Sequence, residues 1–326
     1  MMRAEQLEQQ WLKISADVPE IGLSSIRISS ICIPDLFLGI DSEGFRNLIL
    51  SVPKAYKLSF RAIVKENLSI DFFRESHHIV LKLINDPFRD LFNDLILSLY
   101  SKIGQIAAPD EYVQEFIRAF HRWNGFFSRR SMQSLSDEAL KGLFGEMIVL
   151  KNDLETSEPY LTDQVLESWK GPYDARHDFE TDTDCTEVKT MEQHKTQVRI
   201  SSEFQLENVP DKALRLCIVS LANDSENGKT VSELITTIRE IIYNRGGDLS
   251  IFVAALSRKG IFGAILSEYD HLRFIPLQLS LYDCSRELFP KLTPQNLADG
   301  ITEVIYSILL SQLEPHKISE HALTWK

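Results

Sequence analysis

Cysteine is scarce in this 326-residue chain: the four present (Cys32, Cys185, Cys217, Cys284) stand far apart and form no Cys-x-x-Cys pair. Disulfides and structural zinc are therefore not expected, and the cytoplasm is the expected compartment. Long apolar runs are missing too. None approaches the roughly 18 residues that a membrane span needs. Residues Met1 to Glu8 contain no apolar core of a signal peptide, so no secretory leader is expected. Basic residues are in the minority, with 35 Lys and Arg against 47 Asp and Glu and a net charge of −12. That balance argues against a protein that coats nucleic acid unaided, because nonspecific affinity comes mainly from Lys and Arg on phosphates. It leaves room for an enzyme with a local basic face, and for a partner that supplies much of the grip on nucleic acid. Glycine-rich motifs are lacking as well. With no Gly-x-x-x-x-Gly-Lys-Ser/Thr and no Gly-x-Ser-x-Gly, neither a P-loop ATPase nor a nucleophile-elbow hydrolase is indicated.

What remains is an ordinary globular composition, 44% hydrophobic and 25% charged. The length suits two or three domains with sizeable cores. Residues 5–15 pattern as a short amphipathic helix. Residues 24–85 alternate as several short strands with turns between them, which predicts a small antiparallel sandwich or barrel. Asp86-Pro87 and Pro109-Asp110 open two helices, and Ser136-Asp137-Glu138 opens and caps a third. Further on, Ser202 to Leu206 reads as a capped helix start. Leu214 to Leu221 reads as a buried central strand, and Thr230 to Tyr243 as an amphipathic helix stopped by Gly246-Gly247. Phe274 to Tyr282 reads as an edge strand, because Pro276 cannot donate to a ladder. The expected organisation is a β-rich domain over 1–85, a helical connector over 86–134, and an α/β domain over 135–326.

Within the last of these, His177-Asp178-Phe179 is followed, after a polar acidic turn, by Glu187-Val188-Lys189. Side chains alternate along a strand, so Glu187 and Lys189 share one face and Val188 enters a core on the other. Glu180 to Asp184 is a run of turn-prone and acidic residues, and a hairpin turn there sets Asp178 beside Glu187. Two carboxylates and an ammonium then converge where a hard cation such as Mg²⁺ can bind. Most Glu-x-Lys pairs are simply solvated faces, so the triplet takes its meaning from its surroundings. Upstream, Glu146 sits in Gly142-Leu143-Phe144-Gly145-Glu146, within the third helix. Two glycines inside a helix cost about 1 kcal/mol each relative to alanine, which points to close packing there. By spacing alone Glu146 is an ordinary exposed helix carboxylate. Trp169 reads as a core anchor, with base stacking the alternative. Lys195 and Arg199 are candidate phosphate contacts, and Gln205 either touches substrate or faces water. Arg118, His121, Arg122, Arg129 and Arg130, interleaved with Trp123, Phe126 and Phe127, are either a basic footprint or a solvated connector. His77, His78 and His121 match no metal-ligand spacing, whereas His177 can support the metal site from beside Asp178.

Taken in order, Glu146, Trp169-x-Gly171-Pro172, His177-Asp178-Phe179, Glu187-Val188-Lys189-Thr190, Val198-x-Ile200-Ser201-Ser202 and Gln205-Leu206 resemble the PD-(D/E)XK nuclease superfamily. The likeness covers about residues 135–245. More narrowly, most of the chain resembles a bacterial domain-of-unknown-function family assigned to that superfamily, whose members occur in restriction and phage-defence gene clusters. The resemblance implies an α/β restriction-endonuclease-like core, a mixed sheet flanked by helices. It implies Mg²⁺ or Mn²⁺ held by Asp178, Glu187 and the Val188 carbonyl, with Lys189 orienting or deprotonating the attacking water and Glu146 as the helix acid. His177 stands where many members have Pro. The expected activity is metal-dependent DNA cleavage as part of a restriction or defence system. The alternatives are an inactive DNA-binding or assembly module on the same fold, or an RNA-directed nuclease. Expected partners are DNA and proteins of the same operon. A homodimer or hetero-complex is expected, since double-strand cutting needs two sites, and no membrane is involved.

Overall fold

In the computed structural model, residues 4–15, 20–58, 60–127, 135–261, 266 and 268–324 are described. The chain divides into two units. The first comprises 1–132 with 248–257 and 261–264, and the second 133–247 with 258–260 and 265–326.

The first unit begins with helix α1 (Ala4–Ser15) and continues into strands β1 (Leu23–Arg27), β2 (Leu36–Asp41), β3 (Arg46–Ser51), β4 (Ile63–Val64), β5 (Leu68–Phe73) and β6 (His78–Leu83). These strands form one antiparallel sheet in the order β1-β2-β3-β6-β5-β4, not a sandwich or barrel. Alternation in a strand reports that one face is buried and is silent on what buries it. Here helices contribute to the second layer. Helix α1 buries Leu7, Trp11 and Ile14 and packs on β1, β2 and α2 (Arg89–Ile103), whose residues are largely buried. Trp11 donates its indole N–H to Asn93 Oδ1 at 2.9 Å, tying α1 to α2. Ile31 to Ile33 stays outside any strand. Helix α3 (Pro109–Asn124) carries part of the basic stretch. Arg118 pairs with Glu115, Arg122 pairs with Asp248, and Trp123 and Phe127 are buried. The connector alternative therefore fits the described part of that stretch. Arg129 and Arg130 lie outside the described residues.

The second unit opens with α4 (Asp137–Thr156), whose N-cap Ser136 accepts the Ala139 N–H. After α5 (Thr162–Ser168) come β7 (Phe179–Glu180), β8 (Asp184–Glu192), β9 (Gln197–Ile200), β10 (Ala213–Asn223) and α6 (Val231–Asn244). Helix α6 carries a full capping box between Thr230 and Glu233. Helix α7 (Leu249–Arg258) returns to the first unit over most of its length. Strand β11 (Phe274–Asp283), β12 (Tyr306–Leu309), the short α8 (Leu310–Leu313) and β13 (Lys317–Ala322) complete the unit.

The five-stranded sheet runs β13-β11-β10-β8-β7. It is mixed: β8 and β10 are parallel, and the other pairs are antiparallel. β10 lies at the centre with both neighbours paired, so its apolar run has no polar face to show. Leu214, Leu216 and Ile218 join Cys185, Met191, Val198, Ile200 and Ile308 in a core roofed by the β9–β12 ribbon. On the other side α4 packs against β8 and α6. Gly145 makes this approach feasible, because a Cβ there would strike the Thr190 hydroxyl and lie 3.1 Å from Thr190 Cβ. Gly145→Ala is expected to destabilise the protein by about 1–3 kcal/mol, with part of the loss recovered in a Gly145→Ala/Thr190→Ala double variant. Chemical denaturation of the four proteins of this cycle measures it. Gly142, by contrast, meets nothing within 4 Å. Two expectations need correction. Residues 203–206 form only a turn, closed by Gln205 Oε1 accepting the Ser201 N–H at 2.8 Å. And β11 is an interior strand: Pro276 sits at a bulge against Leu221, beyond the stretch that pairs with β13, so its missing N–H removes no bond from that ladder.

Candidate active site

The hairpin forms as the turn residues predict. Phe179 pairs with Thr186 and Glu180 with Cys185, so the next position sets Asp178 beside Glu187. Asp178 Oδ2 accepts the Val188 N–H at 2.7 Å. Its carbonyl accepts both the Lys170 and Gly171 N–H groups, at 2.7 and 2.9 Å, which fixes its backbone from the other side. Lys189 donates to Glu187 Oε1 at 2.6 Å, as expected of two residues on one strand face. Val188 is buried on the opposite face, in line with Thr190 against α4.

Glu146 is not the solvated helix carboxylate that spacing suggests. Its Oε2 accepts the Trp169 indole N–H at 2.8 Å. Helical periodicity counts neighbours on the helix and cannot register a tryptophan arriving from a loop. Trp169 itself is 1% exposed, which leaves no face for stacking on a base. Gly171 completes the junction: a Cβ on it would strike Glu146 Oε2 and lie 2.9 Å from Asp178 Oδ1. The two carboxylates thus flank a spot that only glycine leaves open.

Burial raises the proton affinity of all three carboxylates, and the Asp178 charge adds to the rise of the two glutamates. Burial pushes Glu187, 2% exposed, up to about 8; Asp178 adds to the rise and Lys189 opposes it. Burial and the Asp178 charge push Glu146 up to about 8, against the Trp169 hydrogen bond and the Lys259 and Lys189 charges. Asp178 is also raised by burial, opposed by the Val188 N–H and by Lys189 and Lys259. A divalent cation would reverse this balance, and the donor set, carboxylate oxygens beside a strand backbone, is the hard-ligand chemistry that Mg²⁺ and Mn²⁺ take.

These groups line a cleft of about 1090 Å³, larger than the roughly 300–1,000 Å³ of pockets for small ligands. Glu146, Asp178, Glu187, Val188 and Lys189 lie in it, together with Lys195, Arg199 and Gln205. Lys195 and Arg199 are exposed, and among the described residues neither is ion-paired. Lys141, bridged to Glu192 at 2.7 Å, also lines the cleft. His177 is not among the lining residues.

A family model described as "Putative PD-(D/E)XK family member, (DUF4420)" matches residues 7–311. The chain belongs to this family. No curated protein and no solved structure gives a match. PD-(D/E)XK nucleases generally use divalent metal ions. Beside the cleft carboxylates stands a residue that sequence reading missed. Lys259 bonds Asp174 at 3.1 Å and its charge acts on both Glu146 and Asp178. In the sequence, Arg258-Lys259-Gly260 is an unremarkable basic helix end, and its distance along the chain from Asp174 hides the ion pair.

Proposed function

We propose that this protein is a metal-dependent DNA endonuclease and the cleavage component of a restriction or phage-defence system. The carrying observation is the convergence of Glu146, Asp178, Glu187 and Lys189 in one cleft, with two of the acids held protonated near neutral pH unless positive charge is supplied. Asp178, Glu187 and the Val188 carbonyl would hold Mg²⁺ or Mn²⁺. Such an ion polarises the phosphate, lowers the pKa of a water and stabilises charge on the leaving 3′-oxygen. The chain's own groups do the rest. Lys189 holds the attacking water, Glu146 fixes the position of its neighbours through Trp169 and Gly171, and Lys195 and Arg199 meet the phosphates flanking the cut. A cleft of this size, with cations and acids spread along it, suits a polymer better than a metabolite. The resemblance to a family found in defence gene clusters supports the biological setting. With it come proteins of the same operon as partners, an assembly with two active sites, and action in the cytoplasm. Among the described residues no helix is long and apolar enough to cross a membrane.

A second reading has its own support. The net charge is −12, and Asp137, Glu138 and Glu192 line the cleft beside the cations. An inactive DNA-binding or assembly module would tolerate that. Incubating supercoiled plasmid, linear duplex and RNA with the protein and Mg²⁺ or Mn²⁺, alone and with neighbouring gene products, separates the readings. DNA cleavage that an Asp178→Ala/Lys189→Ala double variant loses is the expected result. Identical behaviour of wild type and double variant overturns the catalytic assignment, and cleavage of RNA alone changes the substrate.

A further inference from the structure

We propose that His177, Glu180 and Cys185 form a second metal site, separate from the carboxylate cleft, that takes a thiophilic divalent cation of the Zn²⁺ class. Glu180 and Cys185 are directly opposed in the β7–β8 register, and His177 lies in the bend just before β7. One imidazole nitrogen, one carboxylate oxygen and the thiol sulfur all lie within 4.8 Å of one another. A second observation points the same way. His177 is 1% exposed, and neither of its ring nitrogens makes a hydrogen bond of normal geometry, the Gln205 backbone and Glu180 being only weak polar neighbours. The nearest acid, Glu180 Oε1, is 3.7 Å from Nδ1, too far for a hydrogen bond. A buried imidazole rarely leaves both nitrogens unsatisfied, and a metal bond would satisfy one of them.

The donor set decides the kind of ion. Nitrogen, sulfur and oxygen together suit Zn²⁺, whereas the all-oxygen cleft suits Mg²⁺. Tetrahedral zinc, with bonds of about 2.0–2.3 Å, sets its ligands roughly 3.5 Å apart, so these groups need to draw in by about 1 Å. Glu180, with its side chain 31% exposed, can make that movement and gives the ion a path from solvent. On binding, the Cys185 thiol releases its proton to water, and the thiolate, the Glu180 carboxylate and the cation balance in charge. A fourth position is left for water. Such an ion would bolt together the two strands of the hairpin. His177 directly precedes Asp178, and Cys185 lies one side-chain repeat before Glu187 on the same face of β8. The spacing escapes notice in the sequence because it contains a single cysteine and no Cys-x-x-Cys. The proposal stands whether or not the cleft cuts DNA.

Metal content and cobalt spectroscopy test it. The full-length protein is stripped with a chelator, dialysed, and titrated with Zn²⁺ or Co²⁺. Wild type and Asp178→Ala are both expected to retain one equivalent of Zn²⁺, and Co²⁺ to give a thiolate-to-metal charge-transfer band. Cys185→Ser should abolish the band. Glu180→Ala, at a half-exposed position where the fold is expected to survive, should weaken Zn²⁺ binding at least about tenfold, as loss of one of three ligands implies. Absence of the band in wild type overturns the proposal, leaving His177 and Cys185 as core side chains. So does unchanged Zn²⁺ affinity in Glu180→Ala, which decides the matter even if Cys185→Ser fails to fold.

Discussion

Replacing Lys189 with alanine is expected to slow DNA cleavage about 10²- to 10⁴-fold while leaving the fold intact. Lys189 donates to Glu187 at 2.6 Å and opposes the rise in proton affinity of both Glu187 and Glu146. Its removal therefore acts twice. The water loses the donor that positions it, and Glu187 binds its proton more tightly, so metal must compete harder. The two effects separate experimentally. Higher Mg²⁺ and higher pH should restore metal occupancy in Lys189→Ala without restoring the maximal rate. Lys189→Arg keeps the charge but presents a broad planar fork, and should recover metal affinity more than rate. Initial rates of plasmid nicking against Mg²⁺ concentration, with circular dichroism to monitor the fold, measure both. A Lys189→Ala enzyme within about threefold of wild type at saturating metal would falsify the role given to this residue.

Without divalent metal, the protein should lose thermal stability as pH rises from about 5 to about 8. Proton counting sets the direction. Glu187 ionises ordinarily near 4.5 and in the fold at about 8. Between those values the folded chain holds a proton that the unfolded chain has released. Stability then falls with rising pH, flattening once the folded group has ionised as well. Glu146 behaves in the same direction, from the same causes of burial and Asp178. Each tenfold change in proton affinity is worth about 1.4 kcal/mol, so the combined loss is on the order of a few kcal/mol, tempered by the interaction among the three acids. Asp178→Asn removes the shared charge and should flatten the profile, and added Mg²⁺ should restore melting temperature most at the alkaline end. Thermal melts in chelator across this range, repeated with metal, are the measurement. A melting temperature that is constant or rises from pH 5 to 8 in chelator would contradict the buried-acid account.

What the sequence made legible follows from the range of each interaction. The Asp178 to Lys189 hairpin depends on a turn and on strand alternation, both local, and both are written in neighbouring residues. The caps at Ser136 and Thr230 are local as well, as is the apolar run of β10. The setting of Glu146 was not legible from periodicity, since it depends on Trp169 and Gly171 arriving from a loop after another helix. The resemblance to a known motif carried what the spacing could not. Lys259 escaped even that, because it lies outside the motif. The helix-backed sheet of the first unit was misjudged for a related reason: a half-buried strand looks the same whether helices or strands cover it. The turn at 203–206 shows the opposite failure. A good capping residue at Ser202 starts a helix only if enough chain follows to complete it, and Pro210 is too near.

The order of strands in the five-stranded sheet also bears on when the cleft comes into being. Strand β10 needs β11, β11 is flanked by β13, and β9 is held by β12, which supplies Ser307 to the cleft. Asp178, Glu187 and Lys189 leave the ribosome long before residues 306–322. During translation at about 5–20 residues per second, the acids therefore emerge many seconds ahead of the strands that wall them in. A cell making this chain is exposed to the finished cleft only after almost all of the sheet has been synthesised. If the proposed DNA cleavage is its activity, that delay keeps the reacting groups apart from a working groove until this sheet is nearly whole.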